Sequence, residues 1–278
     1  MAWRAAGLLA AALAGLLAPD AVAGPSWDQG AASFVESVVT LPQSPLPGPM
    51  DWPFRARLDQ PVGGYDHDIL GGIPHWSRLA VVAQPCAGCG AGPAVYAVTL
   101  PGDMIFEDVM PRLWDVTGDG RAEVVLVETS LTRGARLAVW GFGDGQRGLT
   151  RLAATGFIGR PQRWLAPVGA GDFDGDGQME IAYIDRPHLQ RDLVVLRLEG
   201  GTLREVARAP GFTAHRIGDT AITSAVRRCV DGVDEIVLPD GTWSRLMAVR
   251  WRNGSLQARD LGAMSDRQMQ AAVAGACG

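Results

Sequence analysis

The chain repeats itself, and the repeat is acidic. DVTGDGRAE at 115–123 and DFDGDGQME at 172–180 share the frame D-x-[TD]-G-D-G-x-x-E, and each runs into an alternating apolar stretch. Asp172 and Glu180 open and close the second copy as Asp115 and Glu123 do the first. A third, eroded copy is DGVDEIVLPD at 231–240, in which Glu235 takes the place of Glu180. The surroundings recur as well. A hairpin turn follows each glutamate at a nearly constant offset: Gly-Asp-Gly at 143–145, Gly-Gly at 200–201 and Asn-Gly at 253–254. Such pairs between apolar runs are strong hairpin signals. A further strand-like run and a glycine close each unit, at Gly102, Gly156, Gly211 and Gly262, which are almost evenly spaced. Gly64 opens an earlier, shorter unit, because GYDHDILGG resembles GFTAHRIGD at 211–219.

Each unit thus reads as an entry strand, a carboxylate loop, a strand, a hairpin and another strand. Repeats of about 50 residues with four short strands point to an all-β chain, a β-propeller whose blades bury their faces against one another. The expected units are 64–101, 102–155, 156–210 and 211–261. Residues 24–63, with the strand-like ASFVESVVTL, are expected to supply a further blade, for five in all. An open β-structure in which these residues form no blade is the alternative. Helical periodicity is lacking except in the tail at 265–278, where Ser265 and Gln268 form a weak capping box for a short helix.

The acidic loops followed by an apolar strand resemble FG-GAP/VCBS repeats, the blades of integrin α-subunit propellers and of many exported bacterial proteins. The resemblance implies a propeller whose loops bind Ca²⁺ and whose role is adhesion, recognition or scaffolding. It names no partner.

Loop chemistry leads to the same ion. Alternate residues of a glycine-kinked turn point their oxygens inward. In the second loop these are Asp172, Asp174 and Asp176, with the carbonyl of Gln178 and the carboxylate of Glu180. Five or six hard oxygens with several charges suit Ca²⁺ better than Mg²⁺. The first loop offers Asp115, Thr117, Asp119, the carbonyl of Arg121 and Glu123. A hydroxyl replaces a carboxylate at Thr117, so weaker binding is expected there. In the third copy Arg227 and Cys229 take the first and third positions and supply no side-chain oxygen. An EF-hand needs glutamate at position 12 and flanking helices; Leu126 and Tyr183 stand there instead. A solvated Asx-type turn without metal is the plainer alternative.

Other motifs are few. His67 and His215 hold equivalent places in their repeats and are expected to pin turns between blades, whereas His75 and His188 are expected nearer a face. No nucleophile elbow, zinc-protease helix, phosphate loop or dinucleotide fingerprint occurs. No catalytic residue is assigned.

The segment from Met1 to Ala23 reads as a cleaved signal peptide: Arg4, an apolar run from Ala5 to Ala18, and Ala21-Val22-Ala23 as the cleavage site. A periplasmic or secreted chain without a membrane span is expected. In that setting Cys86 and Cys89 form a close pair, and Cys229 with Cys277 is the simplest second disulfide, although four cysteines allow three connectivities. The net charge is −5 with no lysine, all 25 basic residues being arginine, which argues against a nucleic-acid partner. Seven carboxylates sit in the two intact loops, more than the whole net charge. The function expected is a calcium-binding recognition or scaffold module for a protein or glycan. The alternative is a hydrolase or lyase with its site at the central channel.

Overall fold

The structure is a computed structural model that describes residues 34–38, 52–84, 93–143 and 148–277. The expected signal peptide, the Cys86–Cys89 pair and most of the 143–145 turn lie outside these residues. Among the described residues seventeen strands and one helix follow one another, and every strand pairing is antiparallel. Strands β1 (Phe34–Val38), β2 (Trp52–Val62), β3 (His75–Gln84) and β4 (Ala94–Thr99) form a first meander. The second unit holds β5 (Met104–Phe106), β6 (Arg112–Trp114), β7 (Glu123–Ser130), β8 (Gly134–Gly141) and β9 (Thr150–Ala154). The third is β10 (Leu165–Gly171), β11 (Glu180–Asp185), β12 (Asp192–Glu199) and β13 (Thr202–Pro210). The fourth is β14 (Ala225–Arg228), β15 (Asp234–Pro239), β16 (Arg245–Arg252) and β17 (Ser255–Ala263). The pairing of Trp76 with Phe106 joins the first two units into one nine-stranded sheet.

The described residues therefore make four such units, and the further blade expected from 24–63 is not among them. The reason lies in register. β2 is eleven residues long and pairs along nearly its whole length with β3, from Trp52 opposite Gln84 to Val62 opposite His75. It completes the short 64–101 unit, which has only two strands of its own.

Burial explains why the acidic loops are followed by apolar runs. β7, β11 and β15, the strand after each loop, are buried at every residue. A strand covered on both faces cannot alternate polar with apolar residues. The outermost strands β13 and β17 are largely exposed. One core runs through units two to four around Val125, Leu137, Phe173, Ile181 and Ile236. A second lies between units one and two around Trp76, Phe106 and Leu126. The Gly200–Gly201 and Asn253–Gly254 turns have positive φ at both residues (55°, 78° and 52°, 75°), the geometry of two-residue type I′ hairpins.

The tail forms the expected helix, α1 (Asp266–Ala274), with Ser265 as N-cap accepting from the Gln268 N–H at 3.1 Å. Its Ala272 packs with Val237 of β15 and covers the outer face of that strand. Cys229 and Cys277 are bonded, which ties the end of α1 to the fourth unit. Among the described residues no helix is long and apolar enough to cross a membrane.

Candidate functional site

The two intact loops share one backbone hydrogen-bond plan. The first connects β6 to β7 and the second connects β10 to β11. In each, the leading aspartate accepts two backbone N–H bonds across the turn. Asp115 accepts from Gly118 and Gly120 at 2.7 and 2.8 Å; Asp172 accepts from Gly175 and Gly177 at 2.8 and 3.1 Å. All four glycines have φ between 75° and 86°, where a side chain would be strained. The closing glutamate accepts the N–H of the second loop residue, Val116 onto Glu123 and Phe173 onto Glu180, both at 2.9 Å. Asp119 and Asp176 each accept the N–H two residues on, from Arg121 and Gln178 at 2.8 Å. These bonds leave lone pairs on the carboxylates, since an ionised carboxylate has about four acceptor sites. Oxygens of Asp172, Asp174 and Asp176 lie within 4.8 Å of one another. Such a donor set fits a hard cation.

Charge balance separates the loops. In the second, Arg197 of β12 stands opposite Glu180 and directs its guanidinium into the acidic cluster. It binds Glu180 through Nε at 2.7 Å and also through Nη2, and reaches Asp174 at 3.0 Å and Asp176 at 2.9 Å. The corresponding place in the first loop is Gly141. A Cβ there would lie 3.3 Å from Glu123 Cγ and 2.8 Å from a Leu152 methyl, so glycine keeps this place free of crowding and supplies no cation. Burial pushes the Glu123 carboxyl up to about 8, with Asp119 and Asp115 adding to the rise and the Val116 N–H opposing it. Burial also raises Glu180, to about 7, against the pull of the Phe173 N–H and of Arg197. Thr117, expected as a ligand, turns its hydroxyl to Glu123 Oε1 at 3.3 Å.

The fourth unit replaces the loop chemistry altogether. Arg227, at the first loop position, binds Glu235 at 2.8 and 2.5 Å and donates to the Ala272 carbonyl at the end of α1. Arg250 stands where Arg197 does and holds Asp231 at 2.7–2.8 Å. Asp234 reaches back to the second loop: it accepts the Asp172 N–H at 2.9 Å and donates its own N–H to the Asp172 carbonyl at 2.8 Å.

At the other end of the strands His188 and His215 lie against Trp164, His67 borders the same cavity, and His75 packs on Tyr65. β10 runs from there to the second acidic loop, a span of about 20 Å. His67 Nδ1 meets Glu107 Oε1 at 2.5 Å, and His75 Nε2 lies 3.8 Å from the same oxygen. His188 Nε2 lies 3.1 Å from His215 Nδ1, and His215 Nε2 is 3.0 Å from the Asp219 carbonyl. A carbonyl only accepts, so His215 carries its proton on Nε2, and the His188 Nε2–H is the donor between the rings. Burial lowers both, His188 to about 4, so both are neutral at pH 7. His215 is a buried structural residue, as its repeat position implied, and His188 borders a cavity. His67 links the first unit to the fully buried Glu107 of the second and also borders that same cavity. Among the described residues, no three ligand atoms of these histidines and carboxylates come within 4.8 Å of one another.

Sequence reasoning had no access to Arg197, Glu107 or Trp164. Arg197 could have been found by counting across the 186–191 connection between β11 and β12 once the register was known. Glu107 and Trp164 carry no local signal.

Residues 115–183 match the family model of the FG-GAP-like repeat. The match runs from the first aspartate of one loop to just past Glu180, so it takes in both acidic loops and the strands between them. No curated protein matches the chain.

Proposed function

We propose that this FG-GAP-repeat protein is an exported calcium-binding recognition module, built to present its exposed loops to a protein or glycan partner. The observation that supports calcium most is the shared hydrogen-bond plan of the two loops. Both spend backbone N–H groups on positioning carboxylates and leave oxygen lone pairs for a cation. Asp115, Asp119 and Glu123 would hold one ion, with Thr117 and the Arg121 carbonyl as further oxygens. Asp172, Asp174, Asp176, Glu180 and the Gln178 carbonyl would hold a second, for which Arg197 must yield. Bound calcium supplies positive charge that offsets the buried glutamates and fixes the turns. The Cys229–Cys277 bond is consistent with an oxidising compartment.

Calcium should raise the melting temperature, and chelator should reverse the rise. A ligand that binds only the native state stabilises by about 2.7 kcal/mol at a hundredfold excess over Kd. An unchanged melting temperature in wild type, or a rise that survives Asp119→Ala combined with Asp174→Ala, would refute the metal sites. Binding to no protein or glycan on an array in calcium would refute the recognition role.

A further inference from the structure

The cavity at the histidine end is separate from the acidic loops, and its chemistry is of another kind. It has a volume of about 290 Å³ and is bordered by loops from three units. His67 comes from the β2–β3 connection, Arg163 and Trp164 from β9–β10, Arg186 and His188 from β11–β12, and Ile217 from β13–β14. The volume is at the small end of ligand pockets, which run from about 300 to 1,000 Å³.

Its charge can be read residue by residue. Arg186 is neutralised by its neighbour: Nε and Nη2 both donate to Asp185 at 2.8 Å. Arg163 is different. Its Nη1 donates to the Gln162 carbonyl at 2.8 Å, and among the described residues it has no carboxylate partner. Four of its five N–H donors are left to a ligand. His67 spends Nδ1 on Glu107, so that pair adds no positive charge beyond a shared proton. His188 is neutral, its Nε2–H given to His215. The cavity therefore offers one unbalanced guanidinium fork beside flat and apolar walls, Trp164, His188 and the 67% exposed Ile217.

The backbone is held for this arrangement. Gln162 and Arg186 both sit in the left-handed region, at φ 52° and 46°. Neither is glycine, and such residues cost about 1 kcal/mol or more when they persist. Gln162 is fixed from the first unit, its N–H donating to the Tyr65 hydroxyl at 2.8 Å and its side-chain amide to the Asp66 carbonyl at 2.6 Å. That contact sets the direction of Arg163.

We infer that this cavity binds a small free monocarboxylate with a planar apolar body, the carboxylate on the Arg163 guanidinium and the body against Trp164, His188 and Ile217. A guanidinium matches a carboxylate bidentately. One unpaired guanidinium balances one negative charge, which favours a monoanion over a phosphate dianion.

The test is titration of the full chain by calorimetry with benzoate, phenylacetate and indole-3-acetate, against benzylamine and inorganic phosphate. At least one carboxylate should bind saturably, and the amine and phosphate should not. Arg163→Gln should weaken that binding about tenfold or more, the size expected for a lost charge-assisted hydrogen bond. Ile217→Glu, at an exposed rim position, should weaken it through like charge without disturbing the core. Arg204→Gln, on the outer strand β13, should leave it unchanged. No saturation by any carboxylate up to about 10 mM, beyond the millimolar range of the weakest specific complexes, overturns the inference. So does equal affinity in a folded Arg163→Gln variant, or equal binding of benzylamine or phosphate.

Discussion

The loops at 115–123 and 172–180 share a backbone and differ in what answers their charge. Glu180 faces Arg197, which spans Asp174 and Asp176 as well. Glu123 faces Gly141 and is buried with no arginine in reach of its oxygens among the described residues. In the fourth unit Glu235 is held by Arg227, and the loop has lost its acidic side chains at the first and third positions. Three glutamates at one repeat position thus have three environments. One faces no cation, one is balanced by Arg197, and one is balanced by Arg227, which also binds the disulfide-tied tail. Ligand counting alone ranks the second loop above the first, four carboxylates against three. Charge balance acts in the opposite direction: an ion at the second loop would compete with the Arg197 guanidinium, whereas an ion at the first would displace only the Glu123 proton and the Thr117 hydroxyl.

The largest test of this comparison is at the disulfide-tied unit. Cys229→Ser should cost about 4 kcal/mol, from a cross-link spanning 48 residues, in denaturant unfolding. The calcium-induced shift should be the same as in wild type, since no calcium is assigned there. A lost shift would mean that the fourth unit takes part in metal binding. Next is Arg197→Met. Removing one partner of a buried ion pair costs about 3 kcal/mol or more, and here calcium should restore most of the loss. A variant as stable as wild type without calcium would show that Arg197 does not serve as the internal cation.

The glutamate that faces no cation gives a pH test. The folded carboxyl of Glu123 titrates near 8 against an ordinary 4.5. The native state therefore holds a proton that the unfolded chain releases, and its contribution to stability falls as pH rises from about 4.5 to 8. Glu123→Gln should be more stable than wild type without calcium by about 2 kcal/mol at pH 6, at the scale of about 1.4 kcal/mol per unit above 4.5, and by more at pH 8. The two should converge at pH 4. A wild-type advantage at pH 8 in chelator would contradict the assignment. The smallest effect belongs to Thr117→Asp, which gives the first loop the carboxylate that the second has at Asp174. Calcium affinity should rise about tenfold by calorimetry, or about 1.4 kcal/mol, and no rise would place the 117 side chain outside the coordination sphere.

The repeats, the I′ turns at 200–201 and 253–254 and the terminal helix could all be read from the residues, because each depends on local spacing, whereas the Cys229–Cys277 pair was one of three open connectivities. Strand pairing of the first unit could not. β2 lies before Gly64, where the repeat pattern begins, and its membership is fixed by a long register with β3 that no motif marks. The charge on each loop was hidden for a similar reason. Arg197 and Gly141 reach their glutamates across a hairpin, so identity at one strand decides chemistry at another. The residues mark His67 and His215 as equivalent repeat positions but do not show which histidines meet. His188 and His215 meet because connections from different units end at the same rim, beside Trp164.

β7, β11 and β15 are buried along their whole length, with a pairing partner on each edge. Expressed in time, their amides are expected to keep a slow clock. They are expected to exchange with solvent only on global opening, and the exposed outer strand β17 by local fraying. An occupant at either end of these strands would slow the whole set together, so one deuterium-exchange record of β11 would register events at the acidic loop and at the histidine rim alike.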